Sequence, residues 1–295
     1  MGLVGAGLGH GARRALPSLI GLRDRSLPFH GPWLEIATAV LFGMTAWRLG
    51  DPGSTPNGLT HTWLIPWPIY LWVLGLATIS ACDYLVKLIP DQLSFGLIAL
   101  GLLVGAVEPR FILDLPVQRW ILLASAPGLR DQPLEGLLLA AAGALVGFLA
   151  LETLRRLFGL LAGLEVMGLG DSKLTAALGA FLGPVGVLIA LALSFVLGVV
   201  HGLLYLRLSG QPHSPFGPPL ALAGWSALLF HDSLGAALHV FQSLLLSLPL
   251  TLLAGLYTLL IAIAVLMIWR MRQKASEYEA LIEEDYRQVD EQLEP

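Results

Sequence analysis

The longest apolar stretch of the chain is the feature that most limits its fold. From Leu174 to Leu206 almost every residue is apolar, over about 33 positions. A transmembrane helix needs roughly 20 residues, so this stretch is too long for a single span. Proline cannot continue a helix without the loss of a hydrogen bond, and Gly183–Pro184 is therefore the predicted break. We predict two spans here, at about 168–183 and 185–206.

The remaining sequence has the same membrane character. Hydrophobic residues make up 56% of the 295 positions and charged residues 13%, compared with about 25% charged residues in soluble proteins. Further spans are predicted at about 33–49, 62–82, 92–107, 133–154, 217–231 and 244–269. The predicted fold is therefore all-α, a polytopic integral membrane helix bundle of about eight transmembrane helices.

Four regions follow from these spans. We expect a basic N-terminal cytoplasmic segment at 1–32, a membrane domain at 33–231, an additional C-terminal transmembrane helix at 232–269, and a charged cytoplasmic tail at 270–295. Arg155 and Arg156 are expected to end the fourth span, and a short interfacial helix is expected around Trp120. The single cysteine, Cys82, excludes an intrachain disulfide and a multi-cysteine zinc site, and we interpret it as a packing residue.

The distribution of basic residues predicts the orientation in the membrane. With eight spans and a cytoplasmic N-terminus, the cytoplasmic segments hold Arg13, Arg14, Arg23, Arg25, Lys87, Arg155, Arg156, Lys173, Arg207, Arg270, Arg272 and Lys274. The opposite side holds Arg110, Arg119 and Arg130, with Arg48 at a boundary. Basic residues are enriched in cytoplasmic loops, which favours this orientation. It places Asp83, Asp91 and Asp171 at the cytoplasmic face.

Two short stretches carry carboxylates at predicted membrane boundaries. The first stretch runs from Cys82 to Gly96, where Asp83 ends one apolar run and Pro90 and Asp91 begin the next. The second stretch runs from Met167 to Pro184. There Asp171 follows two glycines, Gly168 and Gly170, and lies two residues before Lys173. Two neighbouring carboxylates can share a proton, so that the ionised one activates a water and the protonated one donates to a scissile carbonyl. This is the chemistry of an aspartic protease, and the glycines would let a peptide substrate approach the backbone.

Other interpretations of these residues remain open. Asp91 after Pro90 fits a helix N-cap, and Asp171 could cap a helix that begins at Ser172. Lys173 is either an electrostatic partner of a carboxylate or a marker of the interface. His201, inside the sixth span, is interpreted as packing or a polar contact. A proton-coupled or ion-coupled transporter that uses the same aspartates, and a non-catalytic assembly subunit, are the alternative functions.

The residues around both aspartates resemble the type IV prepilin peptidases. The family's GxGD motif, with its following lysine, is matched by GLGDSKLTAALGAFLG, and its upstream aspartate with Pro-Asp six residues further on is matched by DYLVKLIPDQLS. A late segment of the family is similar to SPFGPPLALAGW, and its first span after the cytoplasmic region to GPWLEIATAVLFGMTAWRLG. The resemblance covers about 33–231.

The resemblance implies a function and a site. The catalytic aspartates of the family fall on Asp83 and Asp171, with Gly168, Gly170, Lys173, Pro90, Asp91 and Lys87 as supporting motif residues. It implies a GxGD-type membrane aspartic endopeptidase that cleaves the basic leader of prepilins or pseudopilins at the cytoplasmic face of the inner membrane. Its partners would be those leader peptides and the lipid bilayer, with no nucleic acid, no metal and no cofactor.

Two departures from the family pattern concern the N-terminal region. Bacterial members often carry a cytoplasmic insertion with two CxxC pairs, associated with N-methylation of the new N-terminus, and residues 12–32 hold no cysteine. We therefore expect no methyltransferase activity, and S-adenosylmethionine would be a cofactor only if that activity existed. The stretch GLVGAGLGHGARRALP resembles the end of the family's first span, which suggests that the front of that span is missing.

Overall fold

The computed structural model describes residues 6–8, 10, 33–49, 66–109, 112, 133–162, 168–210, 214–247, 258, 262, 265, 266, 269, 270 and 273. No strand occurs among these residues, which confirms the all-α prediction for them. The helices are α1 (Trp33–Leu49), α2 (Pro66–Val86), α3 (Asp91–Val107), α4 (Pro133–Ala162), α5 (Leu169–Ser209), α6 (Gly217–Leu229) and α7 (His231–Ser247). Three stretches within them are long and apolar enough to cross a membrane, namely Trp67–Val86, Pro133–Leu160 and Leu169–Ser209.

The predicted bounds of the first and third spans agree with α1 and α3, whereas those of the second and fourth spans were wrong. Helix α2 continues through Asp83 and ends only where Lys87 adopts a left-handed backbone, with φ of 54°. Helix α4 continues through Arg155 and Arg156. Arginine is a good helix former, so these two residues do not end a helix, whereas a left-handed residue does.

The predicted break at Gly183–Pro184 is present, because Gly183 has φ of 69° and ψ of 178° inside α5. The chain also reverses its direction there. A Cβ placed on Gly147 of α4 would lie 2.5 Å from the carbonyl oxygen of Thr175 and 3.0 Å from Cγ2 of Val187. In a continuous helix these two residues would be about 18 Å apart along the axis. Helix α5 therefore consists of two antiparallel halves, 169–182 and 184–209.

The C-terminal spans differ from the prediction. Helix α6 is 13 residues long, or about 20 Å, which is shorter than the hydrocarbon layer of a bilayer. The next helix, α7, begins at His231, well before the predicted start at 244, because only a single non-helical residue, Phe230, separates it from α6. Most of 248–269, the region around Trp120, and nearly all of the N-terminal segment and the charged tail lie outside the described residues.

The chain divides into two compact units. The larger contains residues 1–152 and 169–236, and the smaller contains 153–168 and 237–295. In the larger unit, Phe42 of α1 stacks on Tyr70 of α2 at 4.9 Å between ring centroids, and Trp72 of α2 packs against Phe181 of α5 at 5.0 Å. Trp72 and Phe181 are fully buried, so this aromatic pair forms the centre of the core.

Glycines bring α3, α4 and the first half of α5 into close contact within the larger unit. Gly105 of α3 faces Gly136 of α4, and Gly143 of α4 faces the backbone of Gly179 in α5, so that a Cβ at any of these positions would collide with the neighbouring backbone. Small residues of this kind allow membrane helices to approach each other closely. Helices α3, α4 and the first half of α5 therefore form a tightly packed layer.

Candidate active site

Several helix ends of the larger unit meet at one end of the bundle, which we call the motif end. Helix α2 ends at Val86 and α3 begins at Asp91, so the turn 87–90 lies there. The carboxylate oxygen Oδ1 of Asp91 lies 2.5 Å from Nζ of Lys173 in the first half of α5. The start of α5 is therefore at the motif end too. This arrangement places both sequence motifs at the same end of the bundle.

Asp83 lies in the last turn of α2 and is 7% exposed. Its carboxylate oxygen Oδ2 accepts a hydrogen bond of 2.7 Å from the backbone N–H of Gly217, the first residue of α6. The N-cap position of α6 is held by Phe216, which supplies no side-chain hydrogen bond. The first N–H groups of a helix need an external acceptor, and Asp83 provides one from another helix.

Position 217 has no room for a side chain. A Cβ on Gly217 would lie 2.6 Å from Oδ2 of Asp83 and 3.0 Å from its Cγ. Only glycine allows the backbone to come this close to the carboxylate. The SPFGPP segment thus has a structural relation to Asp83 that the sequence analysis did not assign.

A polar pair at the start of the same segment joins Ser214 to His201 in the second half of α5. Its Nδ1 lies 2.8 Å from Oγ of Ser214, and its ring stacks on Tyr205. His201 is also within electrostatic reach of Asp83, as is Lys87. The prediction of a polar contact for His201 is confirmed, and its partner is the residue before Pro215.

Asp171 is the third residue of α5 and is 8% exposed. The interpretation of Asp171 as the cap of a helix beginning at Ser172 was wrong, because α5 already begins at Leu169. The carboxylate therefore belongs to the first turn, where the positive end of the helix dipole stabilises a negative charge. Asp171 is thus associated with the N-terminus of its own helix.

The two motifs are in contact through Gly170 and Lys173. Gly170 packs on the side chain of Ile89. A Cβ placed on Gly170 would lie 3.0 Å from the Cβ of Ile89. Lys173 pairs with Asp91, which confirms its prediction as an electrostatic partner. The N-cap interpretation of Asp91 was wrong, because Pro90 occupies that position and Asp91 is the first helical residue. An aspartate with a lysine within reach forms an ion pair there instead.

The other supporting residues have distinct places. Lys87 is exposed, and its N–H donates to the carbonyl of Asp83 at 2.9 Å, which closes the end of α2. Gly168 is exposed, directly precedes α5 and belongs to the smaller unit. The structure gives Gly170 a packing role, and the approach of a peptide to these glycines stays a prediction.

Two buried carboxylates at the motif end, each at a helix N-terminus, suit acid–base chemistry. That a single water bridges Asp83 and Asp171 stays a prediction. Within the described residues, no group of three or more His, Cys, Asp or Glu side chains is placed to hold a metal ion.

Comparison with known proteins specifies the family. Residues 70–203, which include both aspartates, match the type IV leader peptidase family. This match to a family of peptidases covers less than half of the chain, and it confirms the resemblance found in the sequence for residues 70–203. The similarity extends beyond the segment, since alignments with known members reach about 70% of the chain.

Three relatives show the extent of the similarity. The prepilin leader peptidase/N-methyltransferase of Stutzerimonas stutzeri is 36% identical over 217 residues, which is 72% of this chain and 63% of that protein. The protein of the same name from Pseudomonas aeruginosa is 36% identical over 69% of this chain and 59% of its own length. That from Neisseria gonorrhoeae is 30% identical over 70% and 60%. The aligned part thus spans about three fifths of these relatives. No solved structure gives a significant match.

Sequence reasoning missed three residues of the site region. Gly217 was seen only as part of a resembling segment, because its contact with Asp83 is made by a backbone N–H and has no side-chain signal in the sequence. Ser214 carries no signal of its own. Glu152, buried in α4 beside the start of α5, was passed over within an apolar run. An isolated carboxylate in a membrane helix is the signal that could have found it.

Proposed function

We propose that this protein is a membrane aspartic endopeptidase that removes the basic leader peptide of a type IV prepilin or pseudopilin. Asp83 and Asp171 are the catalytic pair. The observation that supports this most directly is that two buried aspartates, 88 positions apart in the sequence, lie at the same end of the bundle within a segment that matches a leader peptidase family.

The proposed reaction needs two carboxylates and a water. One carboxylate is ionised and takes a proton from the water as the water attacks the scissile carbonyl carbon. The other is protonated and donates to the carbonyl oxygen, which gives a gem-diol intermediate. As the C–N bond breaks, the proton taken from the water passes to the leaving amine, and the second carboxylate takes back a proton from one hydroxyl of the intermediate as the C=O bond re-forms. The hydrogen bond from Gly217 fixes the orientation of the Asp83 carboxylate, and the helix dipole at Asp171 favours a charge there. We propose no cofactor for this step.

We further propose that the motif end faces the cytoplasm of a bacterial cell with the protein in its inner membrane. The basic residues Lys87 and Lys173 lie at this end, and basic residues concentrate on the cytoplasmic side of membrane proteins. A leader that is basic and precedes an apolar segment would reach the site from this side.

N-methylation of the product is a separate question. The relatives are named as leader peptidases and N-methyltransferases, but the described residues offer a reason only for the first activity. We propose that this chain cleaves without methylating. Incubation of the full chain and a prepilin with methyl-labelled S-adenosylmethionine, followed by mass analysis of the mature N-terminus, tests this, and a mass increase of one methyl group would contradict it.

The test of the peptidase uses the purified full chain in detergent with a prepilin that carries a basic leader, a glycine and an apolar segment. The wild type should release the leader, and Asp83→Asn and Asp171→Asn should each abolish cleavage. Asparagine keeps an oxygen acceptor for the N–H of Gly217, so the Asp83→Asn protein should still fold. Asp232→Asn is the matched control, because Asp232 also lies in the first turn of a helix and is exposed at 47% of its side chain.

The outcomes separate the candidate functions. Leader release by the wild type and the control, with none by the two site variants, supports the proposal. Cleavage by Asp83→Asn or Asp171→Asn at the wild-type rate contradicts it. Absence of cleavage by the wild type, together with solute uptake into proteoliposomes that either site substitution abolishes, would favour a transporter instead.

A further inference from the structure

A third buried carboxylate of the larger unit has no assigned role. Glu152 lies in α4 and is 5% exposed, within a stretch that is long and apolar enough to cross a membrane. A carboxylate inside a membrane helix is costly to insert, most of all at the centre of the bilayer. Such a residue is expected only where a partner or a function requires it.

The register between α4 and the first half of α5 places Glu152 beside the GxGD motif. Gly143 faces the carbonyl oxygen of Gly179, and Gly147 faces that of Thr175. Each step of four residues along α4 thus corresponds to a step of four residues back along α5. One further step places position 151 level with Asp171. Because the two helices run in opposite directions, Glu152 is level with Gly170, and Ser172 lies about 3 Å, or half a turn, from that level along α5.

The side-chain contact agrees with this register. Oγ of Ser172 donates to Oε2 of Glu152 at 3.4 Å, and Ser172 is completely buried. Ser172 is directly bonded to Asp171 and shares the first turn of α5 with it. Three glycines hold the two helices at a distance that leaves little freedom for this contact to shift.

We propose that Glu152 is a positioning residue for the peptidase reaction, and that it orients the Asp171 carboxylate by holding the first turn of α5 through Ser172. The inference rests on the proposed function. Because Glu152 acts through a hydrogen bond to Ser172, the acceptor oxygen matters and the negative charge does not. Its loss should lower kcat, since a displacement of about 1 Å of a catalytic group can cost about 100-fold in rate. It should leave KM unchanged, because the proposed role of Glu152 is exerted through Ser172 and not through the substrate.

The experiment measures leader cleavage by the full chain and four variants. Glu152→Leu removes the acceptor, and the apolar side chain remains compatible with the membrane; its kcat should fall by about 100-fold. Glu152→Gln keeps an acceptor oxygen and should restore kcat to near the wild-type value. Ser172→Ala should resemble Glu152→Leu, and the double variant Glu152→Leu/Ser172→Ala should be no slower than either single variant. Glu135→Gln, at the other end of the same helix, is the control and should cleave normally.

Each outcome decides for or against the role. Thermal unfolding of every variant is measured in parallel, and kcat is expressed per folded protein. Normal kcat in Glu152→Leu, equal losses in Glu152→Leu and Glu152→Gln, or additive losses in the double variant would each overturn the inference while the peptidase activity of the wild type stands. A wild type that does not cleave removes the proposed function and this inference with it.

Discussion

The two aspartates of the site have the same side chain but obtain their surroundings in opposite ways. Asp171 is in the first turn of its own helix, so the local chain places it at a helix N-terminus. Asp83 lies in the last turn of α2, and the helix N-terminus that it meets belongs to α6, whose first residue is 134 positions away in the sequence. One carboxylate is organised locally, and the other depends on tertiary structure.

The two carboxylates should therefore be sensitive to substitutions in different parts of the chain. The surroundings of Asp171 should tolerate changes in distant segments that leave the start of α5 intact. Those of Asp83 should fail when α6 is displaced, even if α2 itself is unchanged. The comparison therefore predicts that a substitution remote from both motifs in sequence disables Asp83 selectively.

Gly217→Ala should have the largest effect. The new Cβ would lie 2.6 Å from Oδ2 of Asp83, so either the carboxylate or the start of α6 must move. We expect the rate of leader cleavage to fall by about 100-fold or more, because a displaced catalytic group loses its reactive geometry. We also expect a loss of about 1–3 kcal/mol in the free energy of unfolding, since the buried N–H or the buried carboxylate loses its partner. Cleavage kinetics and denaturant unfolding in detergent measure the two effects.

Gly202→Ala is the matched control for this substitution. Gly202 lies in the second half of α5, and no atom lies within 4 Å of a Cβ placed there. Alanine should be tolerated or slightly favourable in that helix. If Gly217→Ala cleaves as fast as Gly202→Ala, Asp83 does not depend on α6 and the contrast with Asp171 is lost.

The ion pair between Asp91 and Lys173 should have a smaller effect, because it joins the two motifs at the surface. The side chain of Asp91 is 59% exposed and that of Lys173 is 19% exposed. Exposed ion pairs contribute about 0–1 kcal/mol, and Lys173 also lies over the ring of Phe95 at 5.6 Å. A double-mutant cycle with Asp91→Asn and Lys173→Met should give a coupling energy of about 0.5–1 kcal/mol in thermal unfolding, weaker at high salt.

A coupling energy near zero would show that the ion pair does not hold the motifs together, which leaves the packing of Ile89 on Gly170 and the contact of Lys173 with Phe95. Lys173→Arg serves as the control, because it keeps a positive charge within reach of Asp91. If these variants lose cleavage rate while the free energy of unfolding is unchanged, the ion pair also sets the geometry of Asp171. The surroundings of Asp171 would then depend on a contact with α3 as well as on its own helix.

Features set by local sequence could be predicted, and those set by helix register could not. The bounds of α1 and α3 and the break at Gly183–Pro184 follow from apolar length and from proline, both of which act within a few residues. The supporting role of Gly217 could not be predicted, because its contact depends on how α6 packs on α2. The place of Glu152 depends on a register that is fixed by Gly143 and Gly147. Their spacing of four residues is a signal that sequence reasoning can use in other membrane helices.

Lys87→Gly should have the smallest effect, and it tests the backbone strain in the turn that ends α2 after Asp83. Lys87 has φ of 54°, a left-handed conformation that is unfavourable for residues with a Cβ and natural for glycine at the end of a helix. Glycine removes this strain but adds chain entropy to the unfolded state, so we expect a net gain of about 0.5 kcal/mol in the free energy of unfolding. Lys87→Ala removes the same charge near Asp83 but keeps the strain, and should give no gain. Equal gains in both variants would show that the charge of Lys87, and not its backbone, determines the stability of this turn, and thermal unfolding of the two proteins side by side measures the difference.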